Sequence, residues 1–124
     1  MKIAAIIVRT LLGLAFVVFG ANILHPFLPM PEQKPSLATD FGTALFKSHY
    51  MLVIGALQLL GGLLLLTGRF TPLGLTLLGP VIVNILLFHI FLEPSGLPIA
   101  IVVSVLALFL LCYYRKNFAG LLKG

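Results

Sequence analysis

The chain contains a single cysteine, Cys112, and only three acidic residues among its 124 residues. One cysteine excludes an intramolecular disulfide, and it also excludes the cysteine pair that a protein needs to couple a dithiol to a quinone by itself. Serine and histidine nucleophile arrangements, phosphate-binding glycine loops and dinucleotide fingerprints are absent as well. We therefore expect that this chain is not an enzyme on its own.

Charged residues are also scarce, at 9% of the chain, whereas hydrophobic residues make up 60% and the mean hydropathy is +1.19. This composition lies far outside the range of soluble domains and predicts an integral membrane protein. Its apolar runs are long enough to cross a bilayer as helices, and they lack the alternation of barrel strands. We predict an all-α, four-helix membrane bundle that forms one domain over residues 1–124, with spans at about 3–24, 49–67, 72–92 and 97–114.

The distribution of basic residues predicts how this bundle is oriented. If the helices alternate in direction, six basic residues and no acidic ones fall on the side of the amino terminus: Lys2, Arg9, Arg69, Arg115, Lys116 and Lys123. The other side carries mixed charges: Lys34, Lys47, Glu32, Asp40 and Glu93. The positive-inside rule then predicts that both termini are cytoplasmic, in a bacterial cytoplasmic membrane. The net charge of +5 fits this topology and contact with anionic lipid head groups, and it gives no support to nucleic-acid binding.

Residues 25–48 form the long connection between the first two spans. Prolines at positions 26, 29, 31 and 35 favour an extended course in its first half. Apolar residues then recur at helical spacing from Leu37 to Leu45, and Ser36 or Thr39 could cap that helix. We expect a short amphipathic helix on the extracytoplasmic side, either as an ordinary interfacial helix or as a lid over the bundle.

Five polar residues are predicted to lie at the extracytoplasmic end of the bundle, and they form our candidate ligand-binding group: Asn22, His25, His49, His89 and Glu93. His89 and Glu93 are four residues apart, so they are expected to share a helix face. A carboxylate beside an imidazole can fix its tautomer and hold a polar ligand head. The alternative is that the histidines simply lie among lipid head groups. A metal site is disfavoured because no paired histidine spacing occurs.

Two amides are predicted to lie near the membrane midplane, where a polar side chain is costly. Gln58 shares a helix face with Gly55 and Gly62, so it is expected to face a neighbouring helix inside the bundle. Asn84 follows Pro80 by four residues, and we expect it to form an internal hydrogen-bonding clasp.

Arg9 is the one charged residue predicted to lie well inside a span, about 9 Å from its start by helical rise. No acidic residue is predicted nearby to pair with it. We expect its side chain to reach back to the cytoplasmic interface. Otherwise it must donate to backbone carbonyls, to Gln58 or to a bound anionic or quinone-like head.

Three segments of the sequence together resemble the DoxX family of small bacterial membrane proteins: RTLLGLAFVVFGAN, GALQLLGGLLLLTGRFTPLGLTLLGPVIVNILLFHIF and YYRKNFAGLL. The resemblance implies a four-helix membrane bundle, with links in some members to quinone-coupled sulfur oxidation and to membrane-associated oxidative-stress complexes. Its features map to Arg9, Gly13, Phe16, Gly20, Gly62, Asn84 and His89. Many relatives have a glutamate where this chain has Gln58, and a neutral amide cannot cycle a proton at neutral pH.

These observations favour a binding and accessory protein that holds a lipophilic molecule, such as a quinone, an isoprenoid or another lipid, and that serves a redox partner. One alternative is a quinone-reactive oxidoreductase subunit. Another is a membrane chaperone or scaffold that recognises a transmembrane helix through its small-residue faces, Gly13 with Gly20 or Gly55 with Gly62. The expected partners are the lipid bilayer, a membrane or redox protein and a second copy of the chain.

Overall fold

The computed structural model describes residues 1–29 and 34–122 of the chain. Pro31, Glu32 and Lys123, which enter the predictions above, lie outside the described residues. The described part is helical, without strands, and contains five α-helices: α1 (Lys2–Leu24), α2 (Leu37–Lys47), α3 (Tyr50–Thr67), α4 (Thr71–Phe91) and α5 (Leu97–Tyr113). A 3₁₀ turn, Pro94–Gly96, precedes α5, and a 3₁₀ segment, Arg115–Leu122, follows it.

Four helices in the described residues are long and apolar enough to cross a membrane: α1, α3, α4, and α5 together with the 3₁₀ turn before it. The prediction of an all-α fold with four helices long and apolar enough to span a membrane is therefore confirmed for the described residues. Each helix begins and ends within three residues of the range expected from hydropathy. The core draws on all four spans, because each contributes one completely buried leucine: Leu12, Leu65, Leu78 and Leu110.

The short helix α2 forms where the sequence predicts it, and its amino-terminal cap explains why. The Ser36 hydroxyl accepts a hydrogen bond from the backbone N–H of Thr39 at 3.1 Å, while the Thr39 hydroxyl donates to the Lys34 carbonyl at 2.7 Å. Such a cap satisfies a backbone donor that the first turn leaves free. The apolar side of α2 contacts the other helices, with Ala38 buried and the Phe41 ring 5.8 Å from the Phe88 ring of α4.

Glycines bring the backbones of α1 and α3 into direct contact. A Cβ atom added to Gly13 would lie 2.7 Å from the backbone nitrogen of Leu66, and one added to Gly20 would lie 2.7 Å from that of Leu59. In the other direction, a Cβ on Gly62 would lie 2.8 Å from the backbone nitrogen of Val17. Small residues permit this close approach between membrane helices. The glycines named for the scaffold alternative, Gly13, Gly20, Gly55 and Gly62, are therefore buried between helices of this chain.

The other spans are arranged around this central pair. A Cβ on Gly74 of α4 would lie 3.0 Å from the Gly61 carbonyl oxygen of α3, so glycines bring these two helices together as well. α5 contacts both α4 and α1. It is the least covered span, since 11% of its apolar window is buried compared with 28% for each of the others. Most of the surface of α5 is therefore free to contact lipid or a partner.

We expect the substitution Gly13→Ala to lower the free energy of unfolding by about 1–3 kcal/mol, because the added methyl group must push two backbones apart. Gly79→Ala in α4 is the matched control, since a Cβ there meets no atom within 4 Å. That control should be neutral or stabilising by up to about 1 kcal/mol. Reversible unfolding in mixed micelles would measure both values, and equal losses for the two variants would contradict the proposed backbone contact.

Candidate functional site

The two ends of the bundle differ in charge. We call the end where α1 begins and α5 ends the basic end, because its described charged residues are all basic: Lys2, Arg69, Arg115 and Lys116. We call the opposite end the α2 end. It carries the two described acidic residues, Asp40 and Glu93, together with Lys34 and Lys47. All the candidate ligand-binding residues belong to this α2 end.

Several polar side chains within the spans donate hydrogen bonds to their own helix. Four such donor and acceptor pairs are Thr67 Oγ1 to the Leu63 carbonyl (2.9 Å), Thr76 Oγ1 to the Pro72 carbonyl (2.9 Å), Asn84 Nδ2 to the Pro80 carbonyl (2.8 Å) and Ser104 Oγ to the Ala100 carbonyl (2.8 Å). In each pair the acceptor lies one helical turn earlier in the chain. Such bonds reduce the cost of a polar group in hydrocarbon without any functional partner.

His89 also donates a hydrogen bond to its own helix, and neighbouring residues pack closely against its ring at the end of α4. Its Nδ1 donates to the carbonyl of Ile85 at 2.8 Å, because a carbonyl oxygen can only accept. The imidazole edge contacts Gly96, where any Cβ would overlap the ring, and the Phe88 ring packs edge-on at 5.2 Å. His89 is thus a half-buried residue that secures the turn between α4 and α5.

The predicted pair of His89 and Glu93 is wrong. The Glu93 carboxylate is exposed and accepts a hydrogen bond from the Ser95 hydroxyl at 2.9 Å, and no hydrogen bond or ion pair joins it to His89. The reason is that α4 ends at Phe91, so Glu93 lies beyond the helix with an extended φ of −142°. A spacing of four residues places two side chains on one face only while the helix continues.

The remaining members of the expected group have separate positions. The Asn22 side-chain oxygen accepts hydrogen bonds from the backbone N–H groups of Phe27 and Leu28, both at 2.9 Å, and so stabilises the turn after α1. His25 ends α1 and His49 precedes α3, and both are exposed. Across residues 1–29 and 34–122, no group of three or more histidine, cysteine or acidic side chains could hold a metal ion. No hydrogen bond in the described part of the chain therefore joins any two of the five candidate residues.

Asn84 requires a second correction, because it is exposed on the outside of α4 and forms no internal clasp. The face of α4 that packs against the core includes Leu78, Val81 and Ile82. At about 100° of rotation per residue, Asn84 lies more than 90° away from the centre of that face. The helical spacing correctly predicts that Asn84 and His89 point in different directions, but it is His89 that is turned inward.

Asn84 instead lines an open groove of about 330 Å³ between α2 and the carboxyl-terminal part of α4. The other lining residues are all apolar: Phe41, Leu87, Phe88, Phe91 and Leu92. Sequence reasoning missed the groove, although a signal for it exists. Residues 84, 87, 88 and 91 are spaced three and four apart, so they share one face of α4. We call this site the amide groove.

Arg9 joins α1 to the last turn of α3. Its Nη1 donates to the carbonyl of Leu65 at 3.0 Å, and the side chain is half-buried. Gly68 caps the carboxyl-terminal end of α3 with a φ of +74° that suits glycine, and a Cβ there would overlap the guanidinium. A cation at this position interacts favourably with the carboxyl-terminal end of the helix and satisfies a backbone carbonyl. Among the alternatives expected for Arg9, the structure therefore shows the one in which its side chain donates a hydrogen bond to a backbone carbonyl.

Gln58 is buried between α1 and α3, with 6% of its surface exposed. Its Cβ lies against Gly20, where an added Cβ would come within 3.0 Å. None of the hydrogen bonds in the described part of the chain involves its side-chain amide. Gln58 lies in the interior and is not among the residues that line the amide groove.

We expect Gly68→Ala to destabilise the protein more when Arg9 is present than when it is absent, because the added methyl group displaces the guanidinium. In an Arg9→Ala background the backbone strain at positive φ remains, but the overlap is gone. A double-mutant cycle on unfolding free energies should therefore give a coupling of about 0.5–3 kcal/mol between the two positions. Additive effects would contradict the contact.

No protein-family model matches the chain, and no curated protein or solved structure matches it. The resemblance to the DoxX family therefore rests on the residues of the chain alone.

Proposed function

We propose that this chain is a multi-pass protein of a bacterial cytoplasmic membrane that binds a lipophilic molecule with a planar polar head, such as a quinone, in the amide groove. The observation that carries this proposal is an amide exposed on a spanning helix among three phenylalanine rings: Asn84 with Phe41, Phe88 and Phe91. The groove volume of about 330 Å³ lies at the lower end of the range for small-molecule sites.

The chemistry of the groove suits both redox forms of a quinone. An asparagine amide has two N–H donors and one carbonyl acceptor, and here one donor is used by the Pro80 carbonyl. The second N–H can donate to a quinone carbonyl, and the amide oxygen can accept from a quinol hydroxyl. The phenyl rings offer flat apolar surfaces for an aromatic head group. An isoprenoid without a polar head would use the apolar walls alone.

The same chemistry favours binding over catalysis. Asn84 does not change its protonation state at physiological pH, and the other five residues of the groove are apolar. A quinone-reactive subunit would need a proton donor or acceptor beside the head group. We therefore favour an accessory protein that delivers or retains the molecule for a redox partner, in line with the DoxX resemblance. In the competing scaffold function, a transmembrane helix of another protein or of a second copy covers Asn84 instead.

We expect purified protein to bind decylubiquinone or menaquinone-4, and Asn84→Leu to weaken that binding about 3- to 10-fold, because one hydrogen bond contributes about 0.5–1.5 kcal/mol. Ser104→Ala is the matched control, since it removes a similarly back-bonded polar group from α5, outside the groove. Native mass spectrometry with each quinone would measure the difference. If neither quinone binds and a photocrosslinker at position 84 captures a transmembrane helix, the scaffold function replaces this proposal.

The proposed orientation places both termini in the cytoplasm, and single cysteines can test it in a Cys112→Ser background. Thr43→Cys lies on exposed α2, and Asn117→Cys lies at the exposed basic end, so neither substitution changes the charge. In intact cells, a membrane-impermeant maleimide should label Thr43→Cys only, and permeabilised cells should label both. The reverse pattern would mean that the basic end faces outward, against the positive-inside rule.

A further inference from the structure

A second groove, of about 400 Å³, lies at the basic end of the bundle, opposite the α2 end that carries the amide groove. Six residues line it, one just before α1, three from the last turns of α5 and two from the 3₁₀ segment that follows: Met1, Phe109, Cys112, Tyr113, Arg115 and Lys116. We call it the basic groove. It differs from the amide groove because two of its lining residues carry positive charge.

The charged half of the basic groove lies directly after α5. The Arg115 guanidinium donates through Nη1 to the Cys112 carbonyl at 3.0 Å, which holds it at the end of the helix and leaves its other N–H groups for an anion. Lys116 adds a second cation. The described residues of the basic end include no carboxylate that could neutralise this pair. The chemistry of this half therefore suits a phosphate.

The apolar half continues along the outside of α5. Phe109 lines the groove, and Val105 and Val102 lie four and seven residues earlier on the same helix face. Both valines are exposed, with 58% and 56% of their surface accessible. From Tyr113 to Val102 the helix extends about 16 Å at 1.5 Å per residue, close to half of a hydrocarbon core of about 30 Å. An acyl chain of one leaflet has a matching length.

We propose that the basic groove binds one anionic phospholipid, with its phosphate beside Arg115 and Lys116 and an acyl chain along Phe109, Val105 and Val102. The occupant must be amphipathic because the groove joins a cationic end to an apolar stripe of leaflet length. A lipid in this position contacts α5, the least covered span, and the beginning of α1 at once. The lipid therefore stabilises the packing of α5 against the rest of the bundle, because a ligand that binds only the folded state stabilises that state. This proposal does not depend on a ligand in the amide groove.

The test compares two charge-matched double variants in detergent with added palmitoyl-oleoyl phosphatidylglycerol. Arg115→Gln with Lys116→Gln removes two charges from the groove, whereas Lys2→Gln with Arg69→Gln removes two charges at the same end but outside it. We expect the groove variant to retain the lipid about 30-fold more weakly, given the typical contribution of two basic residues to anionic lipid binding, and the control to match the wild type. Native mass spectrometry would count bound lipids, and the lipid-dependent rise in melting temperature would report the same difference.

Two outcomes would overturn the proposal. Equal loss in both double variants would mean that the lipid responds to the total charge of the basic end, without a defined groove. Displacement of the lipid by an equal concentration of inorganic phosphate would mean that the acyl chain contributes nothing. If the groove variant does not fold, the wild-type protein alone still tests the proposal. It must retain phosphatidylglycerol in preference to palmitoyl-oleoyl phosphatidylcholine, or the proposal is wrong.

Discussion

The interior of a bilayer offers no water to satisfy a polar group, and several polar side chains of this chain's apolar helices bond to backbone carbonyls instead. Thr76, Asn84 and Ser104 donate to the preceding turn of their own helices, and His89 does the same at the end of α4. Arg9 is the exception that crosses between helices, because its acceptor is the Leu65 carbonyl of α3. A polar residue in a span is thus weak evidence of function until its hydrogen bonds have been assigned.

The same constraint explains why glycine is central to the fold. Burial of apolar surface against another helix releases no water inside hydrocarbon, so close contact must supply the stability. Gly13, Gly20 and Gly62 allow α1 and α3 to meet at the backbone, and Gly61 with Gly74 brings α4 onto α3. α5 contributes two buried residues from its own length, Ala100 and Leu110. Most of its outer surface is consequently not covered by the other helices, and the lipid proposed above would contact it there.

The sequence predicts the spans well because length and hydropathy alone define them, and it predicts α2 because Ser36 and the apolar spacing are local signals. It fails for Glu93, where the helix ends two residues earlier than the pairing requires. It also fails for Asn84. Because α4 is apolar on nearly every side, the periodicity of its sequence does not show which face is buried and which is exposed. The contacts of Gly68 with Arg9 and of Gly96 with His89 could not be predicted, since each joins residues through the packing of separate segments.

The two grooves differ in the charge of their lining residues, and the depth expected for each groove in the membrane explains this difference. The amide groove lies beside a spanning helix, where a charged side chain would be expensive, and its polar contribution is a neutral amide. The basic groove lies where the helix ends, so its cations can remain hydrated while apolar residues continue into the hydrocarbon. A neutral head group matches the first groove and an anionic head group matches the second. Because the grooves lie at opposite ends of the bundle and share no residue, the two proposed ligands would not compete with each other, and the proposed lipid would stabilise α5 whether or not the amide groove is filled.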